Sequence, residues 1–358
     1  MQPYSACLLF LCFVVAGYGQ VPEVASTDSL LEQHEQLLAS GNLEQAIALM
    51  QSAAEQSKAE LGENHPDRLI YLDLLGMDYF EMGAFAEAQS TLLAAKAARN
   101  SLGLTDEVAY ATNLDRLGQA YTELGKYEQA EVEYTDALRI LEAIQGKTDP
   151  VYAVTLSNLG DLYWSMNQYE KAERYLLEAL AIQEDKLGKE NPDYAATLND
   201  LGTLNQFMGN TAEAERYLLE SKELTGKVLG TNTPAYANAL HNLGNLYWSM
   251  NNFSKAEPLM LQTRDILANT LGTEHPYYAY SLSGLGVLYK DMGAYDKAEA
   301  CYLESKELRA KTVGTEHPEY AHDLRNLGTL YRRMGQYDKA ENYLLEALAI
   351  QERTLGSE

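Results

Sequence analysis

The chain has 358 residues, with 52 acidic and 27 basic side chains and a formal charge of −25. That balance lacks the basic stripe that phosphate binding requires, so neither nucleic acid nor an anionic membrane surface is an expected partner. Hydrophobic residues, at 46%, are enough for a core, and length alone suggests two or three globular domains.

The first element is an apolar run, CLLFLCFVV, from Cys7 to Val15. It is shorter than the roughly 20 apolar residues that span a bilayer. Gly17 and Gly19 follow as a −3/−1 pair, so residues 1–19 read as a signal peptide cleaved before Gln20, although residues 2–6 hold no Lys or Arg. On this reading the mature chain is secreted or periplasmic and inserts into no membrane after leader removal. Cys7 and Cys12 leave with the leader. Cys301 alone remains, so no intramolecular disulfide is expected and the fold must be held by packing. Cys301 stands where other repeats carry Tyr175, Tyr217 and Tyr343, which suggests a semi-buried structural thiol.

A period of 42 residues governs the rest. It relates Gly76, Gly118, Gly160, Gly202, Gly244, Gly286 and Gly328. It also relates the alanines from Ala46 to Ala340, and the prolines from Pro66 to Pro318 with Val108 in one slot. Each period predicts two helices. Helix A starts at the Pro, whose fixed φ and missing N–H suit a first helical turn. Its apolar stripe, Tyr152, Leu156, Leu159, Gly160, Tyr163, follows the 3.6 period. Helix A ends at a turn marked by Gly or by Asn167 and Asn251, residue types that tolerate a left-handed cap. Helix B carries Tyr169, Ala172, Leu176, Ala179 and Gln183, and closes at Leu187-Gly188. The recurrent Gly and Ala are expected where helices cross closely.

L-G-x-x-Y, followed eight or nine residues on by Ala, resembles the tetratricopeptide repeat. Leu replaces the leading Trp of that pattern in each full repeat, from Leu72 to Leu324, and 42 replaces the usual period of 34. Long helices joined by L-G-x-x-H-P are similar to the subclass found in kinesin light chains and in bacterial arrays. The resemblance covers about residues 27–356. It implies an all-α, right-handed α-solenoid of about eight helix-turn-helix repeats, with helix A of each lining a concave groove. The organisation expected is a capping helix pair over residues 20–61 and seven repeats over 62–356. Between Gln20 and Glu60 the cap holds seven acidic residues against one Lys, as a soluble solenoid end should. A core that grows along one axis has no need to split into domains. After the last repeat comes Gly356-Ser357-Glu358, where another H-P would fall. The last helix is therefore expected to expose an apolar face, either capped by self-association or continued in a longer protein.

Catalytic chemistry finds little support. His65, His275 and His317 sit in the H-P linkers, where capping a helix start accounts for them; His34, His241 and His322 are scattered. No H-x-x-x-H or H-E-x-x-H spacing and no G-x-S-x-G elbow occurs. Gly146-Lys147-Thr148 lacks the upstream Gly of a phosphate loop, whose place Leu141 takes. No metal site and no cofactor is expected, and the chain reads as a non-enzyme.

Helix A offers more. Positions off its packing stripe include Asn158, Asp161, Trp164 and Ser165, then Asp200, Thr203, Gln206 and Phe207, then Asn242, Asn245, Trp248 and Ser249. The last two repeats add Lys290 and Asp291, then Asn326, Thr329, Arg332 and Arg333. Trp164 and Trp248 share one slot, and either anchor a ligand or pack between neighbouring A helices. Asn158, Asn242 and Asn326 share another and could form an amide ladder for an extended peptide. Lys290, His322, Arg325, Arg332 and Arg333 break the acidic background, and Arg forks suit carboxylates. The expected partner is thus a protein or peptide, with an acidic residue or free C-terminus at that end. The favoured function is a non-catalytic interaction scaffold. The alternative is a sensor region ahead of a caspase-like peptidase domain, as in similar bacterial arrays.

Overall fold

The structure, a computed structural model, describes residues 25–355; the expected signal peptide over 1–19, its cleavage point before Gln20 and the last three residues lie outside them. The described residues form sixteen α-helices and no strand. They alternate as short A and B helices joined by tight turns, the all-α solenoid expected of about eight repeats.

The chain divides into two compact units, residues 5–204 and 205–358. The first holds α1 (Ala25–Ala39), α2 (Leu43–Leu61), α3 (Pro66–Met82), α4 (Phe85–Leu102), α5 (Val108–Glu123), α6 (Tyr127–Ile144), α7 (Pro150–Ser165) and α8 (Tyr169–Leu187). The second holds α10 (Thr211–Val228), α11 (Pro234–Ser249), α12 (Phe253–Thr270), α13 (Pro276–Asp291), α14 (Tyr295–Thr312), α15 (Pro318–Arg333) and α16 (Tyr337–Leu355). The division falls inside α9 (Pro192–Phe207). At the division, Asn205 stands where the other six repeats carry the tyrosine of L-G-x-x-Y, and it is buried.

The predicted signals work as their chemistry requires. Proline opens α3, α7, α11, α13 and α15. The linker histidines cap: Nδ1 of His275 accepts from the Tyr277 amide at 3.1 Å, and Nδ1 of His317 from the Glu319 amide at 3.2 Å. Asn167 and Asn251 turn the chain at φ 57° and 56°. The helix A glycines allow close crossing. A Cβ on Gly160 would stand 2.9 Å from Leu176, and one on Gly118 would stand 2.8 Å from the Tyr134 ring, closer than carbon atoms pack.

Two devices tie one repeat to the next. The L-G-x-x-Y tyrosine donates its hydroxyl to a glutamate on the preceding helix B: Tyr163 to Glu131 and Tyr247 to Glu215, both at 2.6 Å. Lys171 and Lys255 lie over those rings at 4.6 and 4.5 Å. This gives the tyrosine-rich composition a structural cause. The second device is a buried arginine. Arg99 on α4, fully buried, forks onto Asp73 of α3, and Asn113 of α5 donates to the same carboxylate at 3.3 Å. Five periods on, Arg309 on α14 reaches Asp323 of α15 at 2.7 Å, with Ser283 and Ser305 also donating to that carboxylate. The other full repeats place Leu141, Gln183, Thr225, Leu267 and Gln351 at this position. At the first pair, His34 Nε2 of α1 meets Asp78 Oδ2 of α3 at 2.8 Å, both buried, which locks the cap onto the first full repeat.

Candidate interaction face on the A helices

In the second unit, the last turns of the A helices bring Phe207, Trp248, Lys290, Asp291, Arg332 and Arg333 to equivalent positions on successive helices. Phe207 is 62% exposed. Trp248 is half-buried against the core, and its Nε1 donates to Asp291 Oδ2 at 3.0 Å. The other carboxylate oxygen, Oδ1, takes Arg333 Nη1 at 3.0 Å. Three consecutive A helices, α11, α13 and α15, are therefore stitched through one carboxylate. Gln206 reaches Ser249 at 3.4 Å on the same rim.

This alters the sequence reading at two residues. The Trp248 indole N–H is already bonded inside the protein, so it is no free donor for a ligand. Arg333, expected to wait for a ligand carboxylate, already holds Asp291. Lys290, Arg325 and Arg332 fit the expectation better. Lys290 is half-buried, and burial together with the nearby Arg333 pushes its ammonium below its ordinary pKa. Arg325 and Arg332 are exposed. None of these three has a side-chain ion pair or hydrogen bond among the described residues. The cluster therefore carries an excess of positive charge around a single Asp291.

Further along the A helices, His241 is buried, its ring 4.8 Å from that of Tyr280, and its Nε2 pairs with the Asn245 amide at 2.8 Å. Burial lowers its pKa to about 4, so the imidazole is neutral. Asn326 pairs with His322 Nδ1 at 3.2 Å. Asn242 is half-buried and engaged within the protein.

The first unit departs most from the amide ladder. Asn158 is buried, and its Nδ2 donates to both oxygens of Asp115 on α5, at 3.0 and 2.9 Å. Gln119 adds a third bond at 2.9 Å. Asp115 occupies the position of Asp73, but its repeat has Leu141 where Asp73 has Arg99. Neutral amides take the arginine's place, and burial raises the carboxyl pKa. Asn158 is thus a core residue and belongs to no ligand ladder. Asp161 and Trp164 are half-buried, and each has an interaction within the protein. Glu81 and Glu123, at equivalent positions on α3 and α5, are exposed, yet surrounding protein raises their carboxyl pKa values.

The sequence reading placed Asp291 on this face without its role as the shared acceptor, and missed Asp115 and the two buried arginines. Acidic residues on an otherwise apolar helix stripe, and an Arg in a column of Leu, Gln and Thr, were the available signals. An open cleft of about 560 Å3 between α2, α3 and α4 is lined by Gln51, Ser52, Glu55, Leu72, Leu75 and Ser90. Among the described residues there is no cluster of metal-ligating side chains, and no helix is long and apolar enough to cross a membrane.

The tetratricopeptide repeat family model matches residues 25–101, 107–185, 193–269 and 277–353. No curated protein matches the chain by sequence. Among solved structures, it is similar to a putative kinesin light chain from P. anserina with nearly identical TPR-like repeats, at 27% identity and TM-score 0.50, over 58% of this chain and 99% of that one. It is also similar to BtubC (BKLC) from P. vanneervenii, at 23% identity and TM-score 0.51, over 76% and 92%. The Rap conjugation gene regulator of plasmid pLS20, solved in complex with the Phr* peptide, matches at 14% identity and TM-score 0.63, over 92% and 95%. With its four matched segments spanning most of the residues, its paired helices and its kinesin-light-chain-like period, the chain belongs to the tetratricopeptide repeat family.

Proposed function

We propose that the protein is a non-catalytic interaction scaffold that holds a peptide or a partner's extended segment against its A helices. The fold supports a scaffold, and the pLS20 regulator, a protein of like fold, was solved with a peptide. The observation that carries the finer reading is the cation cluster of Lys290, Arg332 and Arg333 around one carboxylate, in a chain of charge −25. A peptide carboxylate, from an acidic side chain or a free C-terminus, neutralises that excess, while its apolar part lies on exposed Phe207 and on Trp248. We place the mature protein outside the cytoplasm, exported by residues 1–19 and beginning at Gln20.

The test is a selection of random displayed dodecapeptides on the purified chain. Recovered peptides should be enriched in Asp, Glu or free C-termini, and the Arg332→Glu chain should lose that enrichment. Peptides without acidic bias, or bias unchanged in Arg332→Glu, contradict the assignment. Mass spectrometry of the secreted protein checks the Gln20 start.

A further inference from the structure

Three successive A helices of the second unit carry equivalent stripes on the face that holds the cations. On α11 the stripe reads Asn238, Asn242 and Asn245, and on α15 it reads His322, Asn326 and Thr329. On α13, between them, it reads Tyr280, Gly284 and Val287. Spacings of four and three residues keep each set on one side of its helix. The middle helix is therefore apolar where both neighbours are polar. It also has a gap. At the position of Gly284 the other full repeats bring a side chain: Leu74, Arg116, Asn158, Asp200, Asn242 and Asn326. The glycine of the close helix crossing is Gly286, which is pressed by the Tyr302 ring. A Cβ on Gly284 would meet only the His241 ring among the described residues, at 3.2 Å. One turn toward the helix start, Tyr280 is 41% exposed, its ring 4.8 Å from that of His241. One turn the other way, Val287 is half-buried against the core. The gap thus lies between two apolar side chains, beside a buried imidazole whose Nε2 is taken by Asn245.

We propose that the gap over Gly284 receives an apolar side chain of leucine size from the same peptide whose carboxylate lies at Lys290 and Arg332, about three residues along it. This register rests on the carboxylate site of the proposed function and fixes how the peptide lies there. Gly284 and Lys290 are six positions apart on α13, which is about 9 Å at the rise of an α-helix. An extended peptide covers that distance in about three residues, at roughly 3.3 Å each. The size follows from the missing side chain. In the first full repeat the same slot is filled by Leu74, which is buried. In the gap, the ligand's side chain leaves water for the Tyr280 ring and Val287, as the stripe's polar neighbours on α11 and α15 do not allow.

Displayed dodecapeptides selected on the full chain test this. Aligned on their acidic residue or C-terminus, they should carry Leu, Ile, Met or Val about three positions from the carboxylate. Changing that residue to Ala should weaken binding by about 10-fold on the wild-type chain and by less than about 2-fold on Gly284→Leu, which fills the gap, as read by fluorescence anisotropy. Selection on Gly284→Leu should still enrich the acid and lose the spaced apolar residue. Acid-biased peptides without an apolar residue at that spacing overturn the register and leave the carboxylate site standing. A spaced residue retained on Gly284→Leu does the same. Peptides without acidic bias overturn both. If circular dichroism shows that Gly284→Leu fails to fold, Tyr280→Ser, at the exposed side of the gap, replaces it under the same criteria.

Discussion

Trp248 donates its indole N–H to Asp291 at 3.0 Å, across from α11 to α13, and Asp291 in turn holds Arg333 of α15. One carboxylate thus fixes an aromatic ring and a guanidinium on either side of it. It is also the internal competitor for any ligand carboxylate at this cluster. Asp291→Asn keeps an acceptor for the indole and removes the charge that holds Arg333. Titration calorimetry with an acidic peptide recovered by selection should show affinity rising by about 3- to 10-fold, the range of a partly exposed ion pair. A weaker complex would mean that Asp291 itself faces the ligand.

The buried arginines make a stability prediction. Arg99→Met leaves Asp73 buried without its cation, at a cost of about 3–5 kcal/mol. Replacing both, as Arg99→Met/Asp73→Leu, should recover most of that loss, because the uncompensated charge leaves with its partner. Urea midpoints of the three proteins measure it. Equal stability of the single and double variants contradicts the pairing.

Buried His241 and half-buried Asp200 give opposite pH signatures. His241 has a folded-state pKa of about 4, below the unfolded value of about 6.5. Its contribution is therefore fully present above pH 6.5 and is lost as pH falls toward 4, by up to about 3 kcal/mol. Melting curves of wild type against His241→Gln should diverge over that window, the wild type losing more on acidification.

Asp200 behaves in the reverse sense. Burial raises its pKa to about 6, so the folded state holds the proton that the unfolded state releases near 4. Its penalty is absent below pH 4 and grows as pH rises through 6. Asp200→Asn should be more stable than wild type at pH 7 by up to about 3 kcal/mol and indistinguishable at pH 4. A difference independent of pH would place the effect in packing.

The fold was legible because its signals are local and repeated. Pro66 to Pro318, the helix A glycines, the linker histidines and the Asn167 and Asn251 turns each act within a few residues of themselves. The site was legible only as a face. Periodicity reports that Asn158, Trp248 and Arg333 share a side of helix A, but their partners come from a neighbouring repeat, one column over. Asn158 meets Asp115 and Trp248 meets Asp291, each 43 residues distant. A column read by itself cannot reveal a bond between columns. Asn205, in a column of tyrosines, shows the same limit: the column reports the change and not what the side chain meets.

In the proposed function, Lys290 and Arg332 receive a ligand carboxylate. The most direct measurement is a double-mutant cycle by fluorescence anisotropy. It pairs Arg332→Gln with an Asp→Asn or Glu→Gln change in the selected peptide, or with C-terminal amidation of it. The account predicts a coupling of about 1 kcal/mol or more for one peptide carboxylate and none for the others. Additive losses at every peptide position would contradict it.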